Sequence, residues 1–252
     1  MPAGDPRHKG TGFTPVLQAL RSLPEPRGLL PKDLWHYLDG AILATGWYPE
    51  RHHTQLIEAL ARSPEVTRLA ERSGAASVWQ YFGRVAAQRD LAGDQDSLPP
   101  STRTGGRGVY RGLLKPASDP EQVFARVRKL WSLYHDTGEI VVERVRDDDQ
   151  TVVLSFRGYR FGGAGVEELQ LAYVEQFLRL SGLAVVGSIR SSTARGDRRS
   201  EWALRLDPSP ALTRFLAALP EASPLIRQQG SDRGRKDSTP LHIPWGELPP
   251  DG

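Results

Sequence analysis

The order of segments between residues 119 and 206 constrains the fold more than any other feature of this chain. Asp119-Pro120-Glu121 has the pattern of a helix start, with a capping side chain, a proline in the first turn and an acidic residue near the positive end. An apolar stripe at helical spacing follows and stops at Gly138, two β-rich runs come next, and the series then repeats. This order predicts an α+β fold in which N-terminal helices are followed by α-ββ-α-ββ, with a four-stranded antiparallel sheet packed against helices.

The two predicted hairpins differ in their connections. The first joins residues 140–146 to residues 151–157 through three aspartates and a glutamine. The second joins residues 183–191 to residues 201–206 through a basic loop. In the second strand of each, apolar residues alternate with other residues, which is typical of strands that bury one face.

Outside this segment the sequence predicts helices and loose ends. Residues 1–12 are rich in glycine, proline and charge, which predicts a disordered tail, and apolar residues at helical spacing predict a helical region over residues 13–92. Residues 93–118, with clustered prolines and glycines, are predicted to be a linker or mobile loop. The sandwich then occupies residues 119–206, and residues 207–252 are expected to form a short helix and a loose C-terminal tail.

Composition and motifs remove several classes of function. The 252 residues include no cysteine, which excludes a disulfide framework, a thiolate nucleophile and a cysteine-based zinc site. The sequence has no Gly-x-Ser-x-Gly nucleophile elbow, no phosphate-binding loop ending in Lys-Ser/Thr and no histidine pair at metallohydrolase spacing. No run of 18 apolar residues is present and no apolar run follows the first residues. We therefore expect a cytoplasmic protein that does not span a membrane and is not an enzyme.

The charge pattern offers one candidate anion-binding site. The net charge is +3, but 30 acidic residues are interleaved with 33 basic ones, which argues against a surface that tracks phosphates and hence against nucleic acid as a partner. The second hairpin loop carries Arg195, Arg198 and Arg199, which either grip an anionic partner or form a solvated tip. A nucleic-acid-binding alternative would combine these with arginines of the predicted linker, and its affinity would fall steeply with salt.

Aromatic residues are dense on both predicted helices of the sandwich and on two of its strands. Rings at this spacing either line an apolar pocket or fill the core. The first interpretation predicts a non-enzymatic regulatory or scaffolding module that binds a small apolar ligand or a protein partner between the two helices and the sheet. The candidate ligand-binding residues are Phe124, Val127, Trp131, Tyr134, His135, Phe156, Tyr159, Tyr173, Phe177 and Trp202.

The histidines provide one further candidate. His135 lies four residues after Trp131, on the flank of the apolar face and near the end of the helix. It is either a hydrogen-bonded helix-end residue or an imidazole that faces the pocket and could ligate iron or bond a ligand. His52 and His53 fall early in another helix and are expected to form a solvated pair, so the sequence predicts no metal site.

Three stretches of the chain resemble a known ligand-binding superfamily. They are the helix end Leu130-Trp131-Ser132-Leu133-Tyr134-His135-Asp136-Thr137-Gly138, the strand Val152-Val153-Leu154-Ser155-Phe156-Arg157-Gly158-Tyr159 and the closing Trp202-Ala203-Leu204-Arg205-Leu206. In the order and type of its apolar residues the segment resembles haem–nitric-oxide-binding domains, 4-vinyl-reductase-like domains and the TRAPP vesicle-tethering subunits. With the N-terminal helices, over about residues 30–206, the chain is also similar to a family of myxobacterial paralogous proteins.

The resemblance implies a helix-and-sheet sandwich around an apolar pocket that serves sensing or assembly. It also implies haem as a candidate cofactor, with His135 as the iron ligand of a haem-based sensor. Haem-binding members carry Tyr-x-Ser-x-Arg at the corner between strand and helix, whereas residues 156–160 of this chain read Phe-Arg-Gly-Tyr-Arg. That departure favours a module without a cofactor, whose partner is a protein, a small apolar ligand or a second copy of the chain in a homodimer.

Overall fold

The computed structural model describes residues 6–88 and 119–222. The predicted linker, residues 93–118, and the tail beyond residue 222 lie outside this part, and the domain boundaries drawn there stay predictions. No helix in the described part has the length and apolar character needed to cross a membrane. The described residues form helices α1 (Gly10–Arg21), α2 (Trp35–Asp39), α3 (Glu50–Ala61), α4 (Pro64–Arg72), α5 (Val78–Ala87), α6 (Pro120–Tyr134), α7 (Ala164–Leu180) and α8 (Pro210–Ala218), and strands β1 (Arg7–Lys9), β2 (Trp47–Pro49), β3 (Glu139–Arg144), β4 (Thr151–Arg157), β5 (Val185–Ser191) and β6 (Ser200–Leu206).

The two predicted hairpins form a single antiparallel sheet with the strand order β3-β4-β6-β5. The hairpins join through β4 and β6, so that Leu154 is paired with Val142 on one side and with Trp202 on the other. The alternating residues Val152, Leu154 and Phe156 are at most 3% exposed, because they face the helices. The predicted α+β class, with a four-stranded antiparallel sheet packed against helices, is confirmed.

Helices α6, α7 and α8 cover the apolar face of this sheet. Helix α6 begins with the predicted cap, since the Asp119 carboxylate accepts a hydrogen bond from the backbone N of Glu121 at 3.0 Å. Helix α8 contributes Phe215, which stacks on Phe124 of α6 with ring centroids 5.4 Å apart. Side chains of the three helices and the sheet form one continuous core, so the sandwich has an apolar interior of its own.

β1 lies within residues 1–12, the segment for which the sequence predicts a disordered tail. β1 pairs antiparallel with β2, and its backbone also bridges to the end of α6, between His8 and His135. Arg7 donates hydrogen bonds from its backbone N and its Nε to the Asp136 carboxylate, at 2.8 and 2.6 Å. These partners are distant in sequence, so the local composition of glycine, proline and charge could not reveal them.

Helices α1 to α5 build a second apolar core, which meets the sandwich where α5 packs on α7. Gly83 permits this close approach, because a Cβ at this position would lie 2.2 Å from the carbonyl oxygen of Leu169. The partly buried Phe82 and Leu169 pack against the second core at the contact. The seam between the two cores positions the site described next.

Candidate functional site: a cavity between the two cores

A cavity of about 130 Å³ lies at the seam between the N-terminal helices and the sandwich. Helices α1, α3, α5, α6 and α7 build most of its mainly apolar wall, and Ile140 and Trp202 come from the sheet. On the N-terminal side the lining residues are Val16, Ala19, His53, Ile57, Phe82, Val85 and Ala86. On the sandwich side the helices contribute Val127, Leu130, Trp131, Tyr134, Leu169, Gln170, Tyr173 and Val174, and His8 and His135 also line the space.

This position corrects the expected one, which was between the two sandwich helices and the sheet. Six of the ten candidate ligand-binding residues line the cavity, namely Val127, Trp131, Tyr134, His135, Tyr173 and Trp202. The other four, Phe124, Phe156, Tyr159 and Phe177, are at most 4% exposed and belong to the packed core. The ring of Phe156, for example, lies 4.3 Å from that of Trp202 and 5.0 Å from that of Trp131. Large rings fill the space above the sheet, because interiors pack to the density of organic crystals.

Several buried polar atoms on the lining side chains have no hydrogen-bond partner among the described residues. They are Trp131 Nε1, Gln170 Oε1 and the Nδ1 atoms of His8, His53 and His135. Trp131 and Gln170 are only 7% and 9% exposed. Because buried polar groups nearly always have a partner, such atoms indicate a place where a ligand, an ion or ordered water completes the bonding.

Three histidine rings pack together beside the cavity. His8 stacks on His53 at a centroid distance of 4.1 Å and meets the edge of His135 at 4.8 Å. His135 in turn stacks on Trp131 at 3.9 Å. The predicted solvated pair is wrong for His53, which is buried against α1, where its Nε2 donates to the carbonyl oxygen of Gly12 at 3.2 Å.

A buried carboxylate, that of Glu50, lies against this cluster. Glu50 is the first residue of α3 and is 5% exposed. Its Oε1 accepts a hydrogen bond from the Tyr159 hydroxyl and lies 3.6 Å from Nδ1 of His135, while its Oε2 has no hydrogen-bond partner among the described residues. One ligand atom each of His8, Glu50 and His135 lies within 4.8 Å of the other two. No local sequence pattern connects these residues, because they are far apart in the chain.

Burial favours the neutral form of two of these imidazoles. It lowers the pKa of His53 from 6.5 to about 3; His135 acts in the same direction, and the bond to Gly12 opposes it. Burial also lowers the pKa of His8 well below its usual value, and the neighbouring His53 and His135 add to that effect. A neutral imidazole has one ring nitrogen with a free lone pair, which is the form that binds a metal or accepts a hydrogen bond.

The arginine-rich hairpin loop has part of its charge matched within the chain. Arg199 lies 2.6 Å from Oε1 of the buried Glu201, and Arg190 lies 3.7 Å from Oε2 of the same carboxylate. Arg195 and Arg198 are exposed. Anion binding by this loop stays a prediction.

The chain is similar in structure to several H-NOX proteins. It superposes on the unliganded Fe(II) H-NOX protein from K. algicida with a TM-score of 0.46 and 13% identity, covering 80% of this chain and 98% of the other. For the S. oneidensis H-NOX protein in the Fe(II)NO state the TM-score is 0.46, with 11% identity and 79% and 99% coverage. For an oxygen-binding H-NOX domain related to soluble guanylate cyclases the TM-score is 0.39, with 12% identity and 79% and 95% coverage. No family model and no curated protein matches the chain.

The haem–nitric-oxide-binding, 4-vinyl-reductase-like, vesicle-tethering and myxobacterial branches of the resemblance all stay predictions. The cavity's own lining residues are therefore the basis for what it can bind.

Proposed function

We propose that this chain is a non-enzymatic binding module that takes a small, mostly apolar ligand into the cavity between its two cores. The observation that carries the proposal is an apolar-walled cavity whose lining side chains include buried polar atoms without partners. The ligand would touch helices of both cores, so its binding would strengthen their contact. That coupling is the physical basis for a regulatory role, and a protein partner or a homodimer that responds to it stays a prediction.

The volume of the cavity sets the size of the ligand. An engineered apolar cavity of about 150 Å³ in another protein stays dry and binds benzene or xenon. A cavity of about 130 Å³ therefore has room for one small ring, a diatomic molecule or a short chain. Drug-sized ligands occupy sites of about 300–1,000 Å³, so a long fatty acid exceeds the space.

The lining side chains also indicate a polar group on the ligand. Trp131 Nε1 can only donate a hydrogen bond, and Gln170 Oε1 can only accept one. A ligand with a single hydroxyl group could satisfy either atom while its ring stays against the apolar wall. Because an unsatisfied buried group costs about 1–3 kcal/mol, we expect phenol to bind several-fold more tightly than benzene.

Haem bound through His135 is the second candidate function. It is favoured by the position of His135 at the cavity wall and by its Nδ1, which has no hydrogen-bond partner among the described residues. It is opposed by size, since a porphyrin needs at least the 300 Å³ or so of a drug-sized ligand. The His135 ring is also packed between Trp131 and Tyr159, at 3.9 and 5.1 Å. In this arrangement the residues do not fit a porphyrin, which could enter only if the two cores moved apart.

A thermal-shift series on purified protein tests the proposal. Benzene, phenol and xenon should raise the unfolding temperature, and palmitate should not. A ligand at about 100 times its Kd stabilises the folded state by about 2.7 kcal/mol, which is well within the range of detection. A well-folded sample that none of the ring-sized probes stabilises would contradict the small-ligand proposal.

Hemin added to the same sample separates the two candidates. We expect no stoichiometric Soret band, because the cavity is too small. A Soret band that is lost in His135→Ala would instead support the haem sensor. Native mass spectrometry of protein purified from its own cells would report a bound small molecule and a protein partner in one measurement.

A further inference from the structure

Buried side chains from three distant segments meet where β1, α3 and α6 come together. These are His8 in β1, Glu50 at the start of α3 and His135 directly after α6, and they are 5%, 5% and 6% exposed. Nδ1 of each histidine and Oε2 of Glu50 have no hydrogen-bond partner among the described residues. One ligand atom of each residue lies within 4.8 Å of the other two. From this geometry we propose that the three residues bind one divalent transition-metal ion, Zn²⁺ or Fe²⁺.

The donor set suits these ions. Two imidazoles and one carboxylate form a common set of protein ligands for Zn²⁺ and for non-haem Fe²⁺. In a tetrahedral shell, two atoms at about 2.1 Å from the ion lie about 3.4 Å apart, so a separation of up to 4.8 Å has to shrink by up to about 1.4 Å. Binding would therefore require the two imidazoles and the carboxylate to rotate towards the ion.

The ion would also balance a buried negative charge. A carboxylate away from water is costly unless a positive charge or several hydrogen bonds stabilise it. Glu50 has the Tyr159 hydroxyl on Oε1 and no partner on Oε2, so a divalent cation supplies what is missing. The Tyr159 hydroxyl then acts as the outer partner that orients the ligating carboxylate.

The proposed site is held in place by contacts that lie outside it. The ion pair of Arg7 with Asp136 joins the residue before His8 to the residue after His135. The backbone N of Glu50 donates to the carbonyl oxygen of Pro6 at 2.9 Å, which ties the start of α3 to the same segment.

Three protein ligands leave at least one coordination position for water or a ligand. His8 and His135 line the cavity, so this position lies next to the space proposed for the small molecule. The three proposed ligands are all protein side chains, so metal binding does not require the small molecule. The test therefore uses the metal alone.

The test uses the full chain without an affinity tag, stripped with a chelator and titrated with Zn²⁺ by calorimetry near neutral pH. We expect one ion per chain and a higher unfolding temperature with Zn²⁺. Glu50→Gln, which keeps the size of the side chain, and His8→Ala should each weaken binding by about 100-fold or more. His36→Ala, an exposed histidine of α2, is the matched control and should leave stoichiometry and affinity unchanged. Circular dichroism reports whether each variant folds.

X-ray absorption of the zinc-loaded wild type gives a result that needs no variant. We expect imidazole nitrogen and carboxylate oxygen at about 2.0–2.2 Å from the ion. The proposal is overturned if the wild type binds no ion, if the shell contains only water oxygens, or if folded Glu50→Gln and His8→Ala bind zinc as the wild type does.

Discussion

Replacing Ala19 by phenylalanine fills the cavity from within the chain. Ala19 lies on α1 at the cavity wall and is half-buried. A phenyl ring has the size of benzene, which an apolar cavity of about 150 Å³ accepts, so the new ring takes up most of the 130 Å³. Burying a phenylalanine side chain contributes about 1.5–3 kcal/mol, and forcing an extra group into a tight core costs about 1–3 kcal/mol. We therefore expect the free energy of unfolding to change by no more than about 2 kcal/mol.

The expected signature is a stable protein that has lost its ligand site. Urea unfolding gives the stability of Ala19→Phe, and the thermal shift with phenol gives binding. Ala217→Phe makes the same substitution on the exposed face of α8 and should leave phenol binding unchanged. If Ala19→Phe loses more than about 3 kcal/mol, there is no free space for a ring at this wall. If it is stable and still binds phenol as the wild type does, the ligand does not occupy this cavity.

Three further predictions follow from the packing and charge of the described residues. Gly83→Ala should destabilise the fold by about 1–3 kcal/mol in urea unfolding, because the new Cβ meets the carbonyl oxygen of Leu169. A Gly to Ala change inside a helix usually stabilises, so unchanged or higher stability would contradict the tight contact of α5 with α7. Asp136→Asn removes the carboxylate that pairs with Arg7 and should speed amide hydrogen exchange in β1 relative to β4. If the exchange rates in β1 are the same in the variant and the wild type, the ion pair does not hold this strand. Burial lowers the pKa of His53 to about 3, so as the pH falls the unfolded chain takes up the proton before the folded chain does. The contribution of this group to the free energy of unfolding is therefore complete above pH 6.5 and falls towards pH 3, by up to about 1.4 kcal/mol per pH unit. His53→Gln should flatten this slope in urea titrations with a chelator present.

The sandwich could be predicted from the sequence because its signals are local. The capping aspartate at position 119, the stop at Gly138 and the alternation through Leu154 each depend on neighbours within a few residues. Helix periodicity and strand alternation then decide which face is buried, and the structure places those residues in the core. The spatial strand order, β3-β4-β6-β5, did not follow from these signals, because two hairpins with one apolar face each can bury both faces in a single sheet or in two stacked ones.

The site could not be predicted to the same extent because its parts meet only after folding. In the sequence, Glu50 is an acidic residue in the first turn of a predicted helix. Such a residue stabilises the helix dipole, so its position gives no reason to assign it to a binding site. His8 lies in a segment whose composition resembles a tail, and only its pairing with β2 and α6 brings it to His135. Phe156 and Trp131 are both buried and Tyr173 is only partly buried, and the size of a ring does not tell whether it fills the core, as Phe156 does, or borders a cavity, as Trp131 does.

The position of the cavity at the seam gives the ligand a direct effect on stability. A dry, closed void costs about 24 cal/mol per Å³, so filling 130 Å³ would contribute at most about 3 kcal/mol, against the 5–15 kcal/mol that stabilises a typical domain. Each core is already closed by its own rings, such as Phe13 on the N-terminal side and Phe177 in the sandwich, both fully buried. Filling the void would therefore change mainly the contact between α1 and α5 on one side and α6 and α7 on the other. A ligand bound there would change how firmly the two cores hold together while leaving each core intact, which is the property that the proposed regulatory role requires.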